Sequence, residues 1–328
     1  MRIFSDFQTD AAARPPIDIA YVRERIRANL SGVGATIALA SASGGVGKSM
    51  LAVNIATALA LKGKKVALVD ADLNSPSIAP MLGMKPLRNF PMVEGIEPAA
   101  GPHGLRIVSS AQLTGGEAPA ISFAQNHDQD YDRLDGQDGQ DGQVDGHADG
   151  QVIAPAPETP AVLSYSEGLN RIFAQTQFGN VDLLIIDLAT GLDRLRSVAA
   201  MVSLDGVLLC SHPSEHASHA VRHAIQIASA IGAPIVGIVE NMIGFNCDGC
   251  RAVRPLWPEG DLHGVAREHK VPIIARLAFE PRLADSTDRG VPFVREYAST
   301  PTAKHLIDLA SQLETMLAAR ARPAETPA

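Results

Sequence analysis

The chain has 328 residues, of which 46% are hydrophobic but only 4% aromatic, and its formal net charge is −8. A core built mainly from Ala, Val, Leu and Ile is typical of parallel sheets covered by helices. The acidic charge gives no support for nucleic-acid binding, and the lack of a long apolar run or a signal-peptide core predicts a cytoplasmic protein without stable membrane binding.

The first predicted elements surround a glycine-rich loop. Residues 17–30 have apolar positions near helical spacing, and we assign residues 1–33 to an N-terminal arm and short helix. The apolar run 36–39 predicts a buried strand, and residues 51–61 predict a helix packed on it. Between them, residues 42–49 have the sequence A-S-G-G-V-G-K-S, the Walker A pattern with alanine in place of its first glycine.

This loop has the residues needed to hold the phosphates of a nucleotide. Its glycines let successive backbone N–H groups converge on phosphate oxygens at a helix N-terminus. Lys48 is expected to reach the β- and γ-phosphates as a catalytic residue, and Ser49 to ligate Mg2+. The alternative is a turn that binds nothing, but strand, loop, Lys-Ser and helix occur in the order that the motif requires. The predicted nucleotide-binding residues of the loop are Gly44, Gly45, Val46, Gly47, Lys48, Ser49 and Met50.

A second buried strand is predicted at residues 66–69, and it ends in the acidic sequence of Asp70 and Asp72. Open α/β sheets bind ligands outside the carboxyl ends of their strands, so these carboxylates are expected to face the nucleotide crevice. Residues 73–84 are broken by proline and predict a loop with one short helical turn, and residues 104–109 predict a further strand.

Regularity is lost between about residues 125 and 160. Residues 128–149 contain eight Asp and one Arg, a net charge of −7, which leaves −1 for the rest of the chain. A period-three Asp-Gly-Gln repeat cannot bury a core, so it predicts a disordered insertion in a domain spanning residues 34–320. Calcium binding is the alternative, but no ligand loop closed by a bidentate glutamate is present.

Strands and helices alternate again after the insertion. Residues 181–187 form an apolar run that ends in Asp187, the Walker B pattern that places an acid near Mg2+, and Gly191 could bring a backbone N–H to the γ-phosphate. Such alternation predicts one doubly wound α/β domain with a mostly parallel sheet. The remaining predicted elements are a helix at 161–177, a strand at 207–210, a helix at 214–231 and a strand at 235–239.

Two features of these elements have competing interpretations. Cys210 lies in a predicted buried strand and is interpreted as a small core residue rather than a ligand. His216, His219 and His223 share one helix face, with His212 just before the helix. They could bind a transition metal, but without an acid or thiolate partner in sequence an exposed helix surface is the favoured interpretation.

The last buried strand is followed by a C-x-x-C motif, Cys247 and Cys250, in a loop. Two thiolates fill only half of a tetrahedral zinc site or of a four-cysteine iron–sulfur cluster. The chain contains no second C-x-x-C, so a cluster would require thiolates from a partner, most economically a second copy. Thioredoxin-like redox chemistry is the alternative, but the expected helix start is missing.

Five stretches together resemble the Mrp/ApbC-type iron–sulfur cluster carrier ATPases, in the MinD/ParA branch of P-loop NTPases. They are S-G-G-V-G-K-S (43–49), V-D-A-D-L-N-S-P-S-I-A-P-M-L-G (69–83), L-L-I-I-D-L (183–188), V-E-N-M-I-G-F-N-C-D-G-C (239–250) and P-R-L-A-D-S-T-D-R-G-V-P-F (281–293). The resemblance implies the MinD/ParA fold and a homodimer that binds ATP and Mg2+. It further implies a labile [4Fe-4S] cluster, held between subunits on Cys247 and Cys250, that is passed to apo iron–sulfur proteins.

The resemblance also implies roles for single residues. Asp70 and Asp187 would hold Mg2+ through water, together with Ser49, and Asp72 would position the attacking water as a catalytic residue. The candidate adenine contacts are Asn241, Pro281 and Arg282.

The chain departs from the family pattern at the phosphate site. Family members have the sequence G-K-G-G-V-G-K-S, whose signature lysine reaches the phosphates of the partner subunit, whereas the matching positions here are Ala42 and Ser43. Loss of a phosphate-clamping cation can cost several orders of magnitude in the rate of phosphoryl transfer. Met50 replaces the usual threonine, and Ala189 and Thr190 stand where the family has Pro-Pro. We therefore expect ATP binding with weak hydrolysis.

The alternative from another functional class is a MinD-like positioning or regulatory ATPase with a structural metal at the C-x-x-C. Such a protein would use its C-terminal helix, residues 303–319, at a membrane. Leu306, Leu309 and Leu313 share a face of that helix, but it has few basic residues, so membrane binding is expected to be weak. Residues 321–328 are assigned to a tail.

Overall fold

The structure is a computed structural model that describes residues 19–85, 95–109, 121–124, 161–246, 253–258 and 260–319. Its strands are β1 (Val33–Ala40), β2 (Val66–Ala71), β3 (Ala99–Ala100), β4 (Arg106–Ser109), β5 (Ile121–Ala124), β6 (Ala161–Ser164), β7 (Val181–Leu188), β8 (Gly206–Ser211), β9 (Ile235–Glu240), β10 (Gly244–Asn246), β11 (Val253–Pro255) and β12 (Ile273–Arg276). Its helices are α1 (Ile19–Leu30), α2 (Lys48–Leu61), α3 (Ile78–Met81), α4 (Tyr165–Gln175), α5 (Leu192–Ala199), α6 (Glu215–Ala230), α7 (Leu262–Glu268), α8 (Pro281–Asp288), α9 (Phe293–Glu296) and α10 (Pro301–Ala318).

Eight of the described strands form one sheet in the order β12-β9-β8-β1-β7-β2-β4-β3. Neighbouring strands are parallel throughout, except that β3 runs antiparallel to β4. Strand order reverses on either side of β1, so the carboxyl ends of β1, β7 and β2 meet at the point where ligands bind in such sheets. The predicted doubly wound, mostly parallel fold is confirmed.

The sheet is covered by helices on both faces because successive side chains of a strand point to opposite sides. In β1, Ile37 and Leu39 join the core cluster that includes α2 and α10, whereas Ala38 and Ala40 join the cluster that includes α1, α4 and α6. All four side chains are 2% exposed or less. Burial on both faces explains why the predicted strands are continuous apolar runs rather than alternating ones.

Helix α10 uses its apolar face inside the domain. Leu306, Leu309 and Leu313 are fully buried in the same core cluster as the residues of α2. This face is therefore not available to a lipid surface, which removes the main support for the membrane-positioning alternative. None of the described helices combines the length and the hydrophobicity needed to cross a bilayer.

The predicted helix at residues 161–177 was wrong at its start. Residues 161–164 form β6, which pairs in parallel with β5, and the helix begins only at Tyr165. The Ser164 hydroxyl accepts a hydrogen bond from the Glu167 N–H (3.2 Å), and the Glu167 carboxylate accepts one from the Ser164 N–H (2.7 Å). This capping box satisfies two backbone donors that a helix start leaves free, so the helix begins here.

The predicted bounds of the elements after β2 were closer to the observed ones. The short helical turn predicted after the second strand is α3, and the strand predicted at residues 104–109 begins at Arg106 because residues 102–104 form a 3-10 turn. The insertion predicted at residues 125–160 lies outside the described residues.

Candidate functional site at the carboxyl edge of the sheet

The glycine-rich loop joins β1 to α2 at the carboxyl edge of the sheet. Gly45 and Gly47 have φ angles of 71° and 82°, in the left-handed region that favours glycine. A Cβ on Gly47 would also lie only 2.6 Å from Asn241 Nδ2, whereas one on Gly45 would meet no atom within 4 Å. The loop therefore needs glycine for its curvature at both positions and for close packing at the second, and it leaves an open cradle beside Gly45.

Lys48 and Asp187 form a buried ion pair at the base of this cradle. Lys48 Nζ lies 2.8 Å from Asp187 Oδ1, and the two side chains are 7% and 0% exposed. Burial raises the pKa of Asp187, and the Lys48 charge opposes that rise. The second carboxylate oxygen, Asp187 Oδ2, is buried with no hydrogen-bond partner. The lysine is thus held at the place where phosphate would bind, and one carboxylate oxygen remains to be satisfied.

Asp70 lies beside Asp187, since the two residues are partners in the β2–β7 register. Its Oδ2 accepts hydrogen bonds from the N–H groups of Ser77 (2.7 Å) and Ile78 (2.9 Å), and its Oδ1 accepts one from the Asp72 N–H (3.2 Å). Burial, with the nearby Asp187 charge, raises the pKa of Asp70 to about 7, although the backbone donors oppose this. Two buried carboxylates at paired positions of neighbouring strands form a site that a cation would stabilise.

The oxygen groups at this edge fit a hydrated Mg2+ ion. Mg2+ prefers carboxylate and hydroxyl oxygens and keeps several waters. The buried, unpartnered Asp187 Oδ2 supplies such an oxygen, and the Ser49 hydroxyl, whose side chain lowers the pKa of Asp187, supplies another. Asp72 is half-buried, and its Oδ1 accepts a hydrogen bond from the Ser75 N–H at 3.2 Å. In the described part of the chain, no three His, Cys, Asp or Glu side chains form a complete metal site on their own.

The loop after β7 contacts the glycine-rich loop directly. The Gly191 N–H donates to the Ser41 carbonyl oxygen over a long 3.3 Å, and its contact with a γ-phosphate stays a prediction. Thr190 Oγ1 lies 3.8 Å from the position that a Cβ on Gly44 would occupy. The segment that follows Asp187 therefore lies against the phosphate cradle.

Asn241 has a role that the sequence did not reveal. Its side-chain Nδ2 donates to the Val46 carbonyl oxygen (2.9 Å), and its backbone N–H donates to the Ser211 carbonyl oxygen (2.7 Å). The side chain is only 3% exposed. Asn241 thus fastens the glycine-rich loop to the end of β8, whereas its adenine contact stays a prediction.

The other two predicted adenine contacts lie at the start of α8. Pro281 is the first residue of this helix, and Arg282 donates two hydrogen bonds of 2.8 Å to Glu280. The Arg282 guanidinium also lies 5.4 Å from the centroid of the Tyr297 ring. These contacts hold Arg282 on its own helix, and the contact with adenine stays a prediction.

The C-x-x-C motif lies in the connection of a hairpin that follows Asn241. Strands β10 and β11 pair antiparallel, and Cys247 and Cys250 belong to the residues between them, which lie outside the described part of the chain. The base of the hairpin is anchored by Trp257, whose Nε1 donates to the Met242 carbonyl oxygen at 3.0 Å. The Trp257 ring also stacks on His212, with centroids 4.3 Å apart. The hairpin strands that flank the motif are therefore tethered to the carboxyl ends of β8 and β9, beside the nucleotide loop.

The remaining candidates have the positions that their favoured interpretation predicts. Cys210 is buried in β8, and burial raises the pKa of its thiol to about 12, as expected for a core residue. His216, His219 and His223 are all exposed on α6, and His219 lies 3.3 Å from Glu215.

Comparison with known proteins agrees with this geometry. A profile of the ParA type, described as NUBPL iron-transfer P-loop NTPase, matches residues 32–126 and 159–314. The chain is 28% identical to an iron-sulfur cluster carrier protein of Saccharolobus solfataricus over 92% of each chain, and 30% identical to one of Methanocaldococcus jannaschii over 82% of this chain and 81% of the relative.

Solved structures show the same fold. The nucleotide-binding protein of Archaeoglobus fulgidus in complex with ADP is 26% identical, covers 86% of this chain and 95% of its own, and superposes with a TM-score of 0.63. The MinD cell division protein of Aquifex aeolicus, at 21% identity and a TM-score of 0.55 over 86% of this chain and 97% of its own, supports the fold alone. Because the profile covers most of the chain and the phosphate loop, the Walker B strand and the sheet order all agree with it, this chain belongs to the NUBPL iron-transfer P-loop NTPase family.

Proposed function

We propose that this protein is an ATP-binding iron–sulfur cluster carrier that holds its cluster between two copies of the chain and delivers it to apo-proteins. The observation that carries the proposal is the attachment of the C-x-x-C hairpin to the phosphate loop through Asn241 and Met242. The family match and the relatives that are named iron-sulfur cluster carrier proteins support the cargo.

The phosphate cradle would bind the nucleotide through Lys48, which is now paired with Asp187. Lys48 forms an ion pair with Asp187, and a bound phosphate would offer it a second anion at the mouth of the same cradle. Ser49 and Asp187 would hold Mg2+, with Asp70 acting through water, and the ion would supply positive charge to the phosphate oxygens. Asp72, at the end of the neighbouring strand, would position the attacking water.

The cluster would be cargo shared by two subunits. Each chain offers the two thiolates of Cys247 and Cys250, and a [4Fe-4S] cluster takes four. A second copy related by a twofold axis completes the set with the same two residues. The buried thiol of Cys210 takes no part, because its high pKa and its burial in β8 keep it protonated and out of reach.

Anaerobic reconstitution with iron and sulfide tests this proposal. Absorption spectra and metal analysis should show two iron atoms per chain, and only in the dimer. Replacing both Cys247 and Cys250 by alanine should abolish the cluster and leave nucleotide affinity largely unchanged, and Cys210→Ala is the matched control that should keep the iron. A full complement of iron in the double variant, or in a monomer, would contradict the proposal. Zinc at one ion per dimer would instead support the structural-metal alternative.

The rate of ATP hydrolysis tests the phosphate site separately. Ser43 stands at the position of the signature lysine, so turnover should be slow, and Ser43→Lys should raise it if that charge is the missing component. Gln226→Lys, at an exposed position of α6 outside the phosphate site, controls for added charge. A wild-type rate equal to that of a lysine-bearing carrier under the same conditions would contradict this expectation.

A further inference from the structure

Arg194, in the first turn of α5, forms a cation–π contact with an aromatic ring. Its guanidinium carbon lies 4.1 Å from the centroid of the Tyr165 ring. Within the described residues it has no ion pair or hydrogen bond with a carboxylate, and the side chain is half-buried. Stacking covers the face of a guanidinium but leaves its five N–H donors, which lie in the plane, available for an anion.

The ring that holds Arg194 is fixed at the carboxyl edge of the sheet. Tyr165 is 2% exposed, and its hydroxyl donates to the Ala71 carbonyl oxygen at the end of β2 (3.0 Å), one residue before Asp72. Burial raises the pKa of Tyr165 above its ordinary value, the Arg194 charge opposes this rise, and Asp72 and Asp187 add to it. The phenol thus lies within electrostatic reach of the arginine and of both acids of the candidate site.

The segment that carries Arg194 also lies against the phosphate cradle. Helix α5 starts at Leu192, directly after Gly191, whose N–H donates to the Ser41 carbonyl oxygen. Thr190 approaches Gly44 from the same side. Arg194 is therefore three residues from a direct backbone contact with the loop.

The cradle itself is short of positive charge. Lys48 is paired with Asp187, and position 43 is a serine. Phosphate groups are most strongly bound by arginine, whose planar fork donates two parallel hydrogen bonds to their oxygens. Arginines supplied by the same chain stabilise the γ-phosphate in other nucleotide hydrolases.

We propose that Arg194 leaves the Tyr165 ring and binds the γ-phosphate of a bound nucleoside triphosphate, so that this chain supplies in cis a cation that its phosphate loop lacks. The proposal rests on the nucleotide binding proposed above. Tyr165 holds the guanidinium close to the site without satisfying its donors, which lowers the cost of ordering the side chain when phosphate arrives. ADP has no γ-phosphate, so the contact distinguishes the triphosphate from the diphosphate.

Calorimetric titration of the full-length protein with Mg2+-ADP and with a non-hydrolysable Mg2+-ATP analogue tests the proposal. Arg194→Ala should weaken binding of the analogue about tenfold or more, the size of one charge-assisted contact, and change ADP affinity by less than about twofold. Arg196→Ala, an exposed arginine on the same helix, is the matched control and should change neither affinity. Arg194→Lys, which keeps the charge but not the planar fork, should fall between the wild type and the alanine variant.

Equal weakening of both nucleotides, or no change in either, overturns the role of Arg194 while leaving the proposed function intact. Failure of the wild type to bind either nucleotide contradicts the nucleotide part of the proposed function, and this proposal falls with it. If Arg194→Ala does not fold, Arg194→Gln keeps most of the side-chain volume, and the same loss of discrimination between the two nucleotides is expected of it. Thermal unfolding of each variant shows whether the fold is retained.

Discussion

The buried pair of Lys48 and Asp187 makes a prediction about the nucleotide-free protein. Lys48→Met keeps much of the side-chain length but removes the charge that lies 2.8 Å from Asp187 Oδ1. Asp187 is fully buried, and its Oδ2 already has no hydrogen-bond partner. The variant also removes the Lys48 ion pair from Oδ1, so an unpaired charge is left in the low-dielectric interior.

The expected cost follows from the removal of one partner of a buried ion pair. Such changes destabilise proteins by about 3–5 kcal/mol, and in a domain of this size 1 kcal/mol corresponds to roughly 2–4 °C in Tm. The thermal midpoint of Lys48→Met should therefore fall by roughly 6–20 °C at pH 8.

The loss should shrink as the pH falls. Burial raises the pKa of Asp187, and Lys48 is the main charge that opposes this, so removing the lysine raises the pKa of Asp187 further. An acid whose pKa is higher in the folded state than in the unfolded state is penalised above the folded pKa, and the penalty is relieved as the pH falls through that value. The difference in midpoint between wild type and variant should therefore narrow as the pH is lowered from 8 toward the folded-state pKa of Asp187.

Thermal unfolding followed by circular dichroism, without nucleotide and with Mg2+ chelated, measures these midpoints. The double variant Lys48→Met, Asp187→Asn should recover most of the loss, because it removes the charge that was left unpaired. Lys65→Met, at an exposed lysine, is the matched control. A drop of less than about 2 °C, no dependence on pH, or a double variant as unstable as the single one would refute the reasoning.

Three further predictions concern residues outside the phosphate cradle. Burial raises the pKa of Cys210 to about 12, so its thiol should resist iodoacetamide at pH 8 in the folded protein and react only after unfolding. Mass spectrometry of the protein treated before and after unfolding measures whether Cys210 is alkylated. Leu309→Ala should cost about 2–5 kcal/mol in urea unfolding because it leaves a cavity against the core, whereas Lys304→Ala, at an exposed position of the same helix, should cost little. Trp257 is the single tryptophan of the chain, and His212→Ala should remove its stacking partner, shift its fluorescence to longer wavelength and speed quenching by acrylamide; unchanged emission would mean that the stack does not form.

Much of the fold was predictable because the signals are local. A strand buried on both faces must be an apolar run, and a phosphate loop needs its glycines, lysine and serine at fixed spacing, so β1, β2, β7, β8, β9 and α2 were identified from neighbouring residues alone. The start of α4 had a local signal too, the S-x-x-E capping box from Ser164 to Glu167, but the apolar run before it obscured that signal.

The sequence by itself therefore determined the fold class, the phosphate loop, the acids at the strand ends and the C-x-x-C motif. Only the tertiary structure decided which of these side chains meet. Lys48 pairs with Asp187 across 139 positions of the chain, Asn241 reaches Val46 across 195, and Arg194 lies on Tyr165. The tertiary structure also decided that the leucines of α10 pack in one core cluster with α2, where they are not available to a lipid surface. Such contacts depend on strand order and helix docking, which bring distant residues together through the packing of the whole core and leave no pattern in the spacing of neighbouring residues.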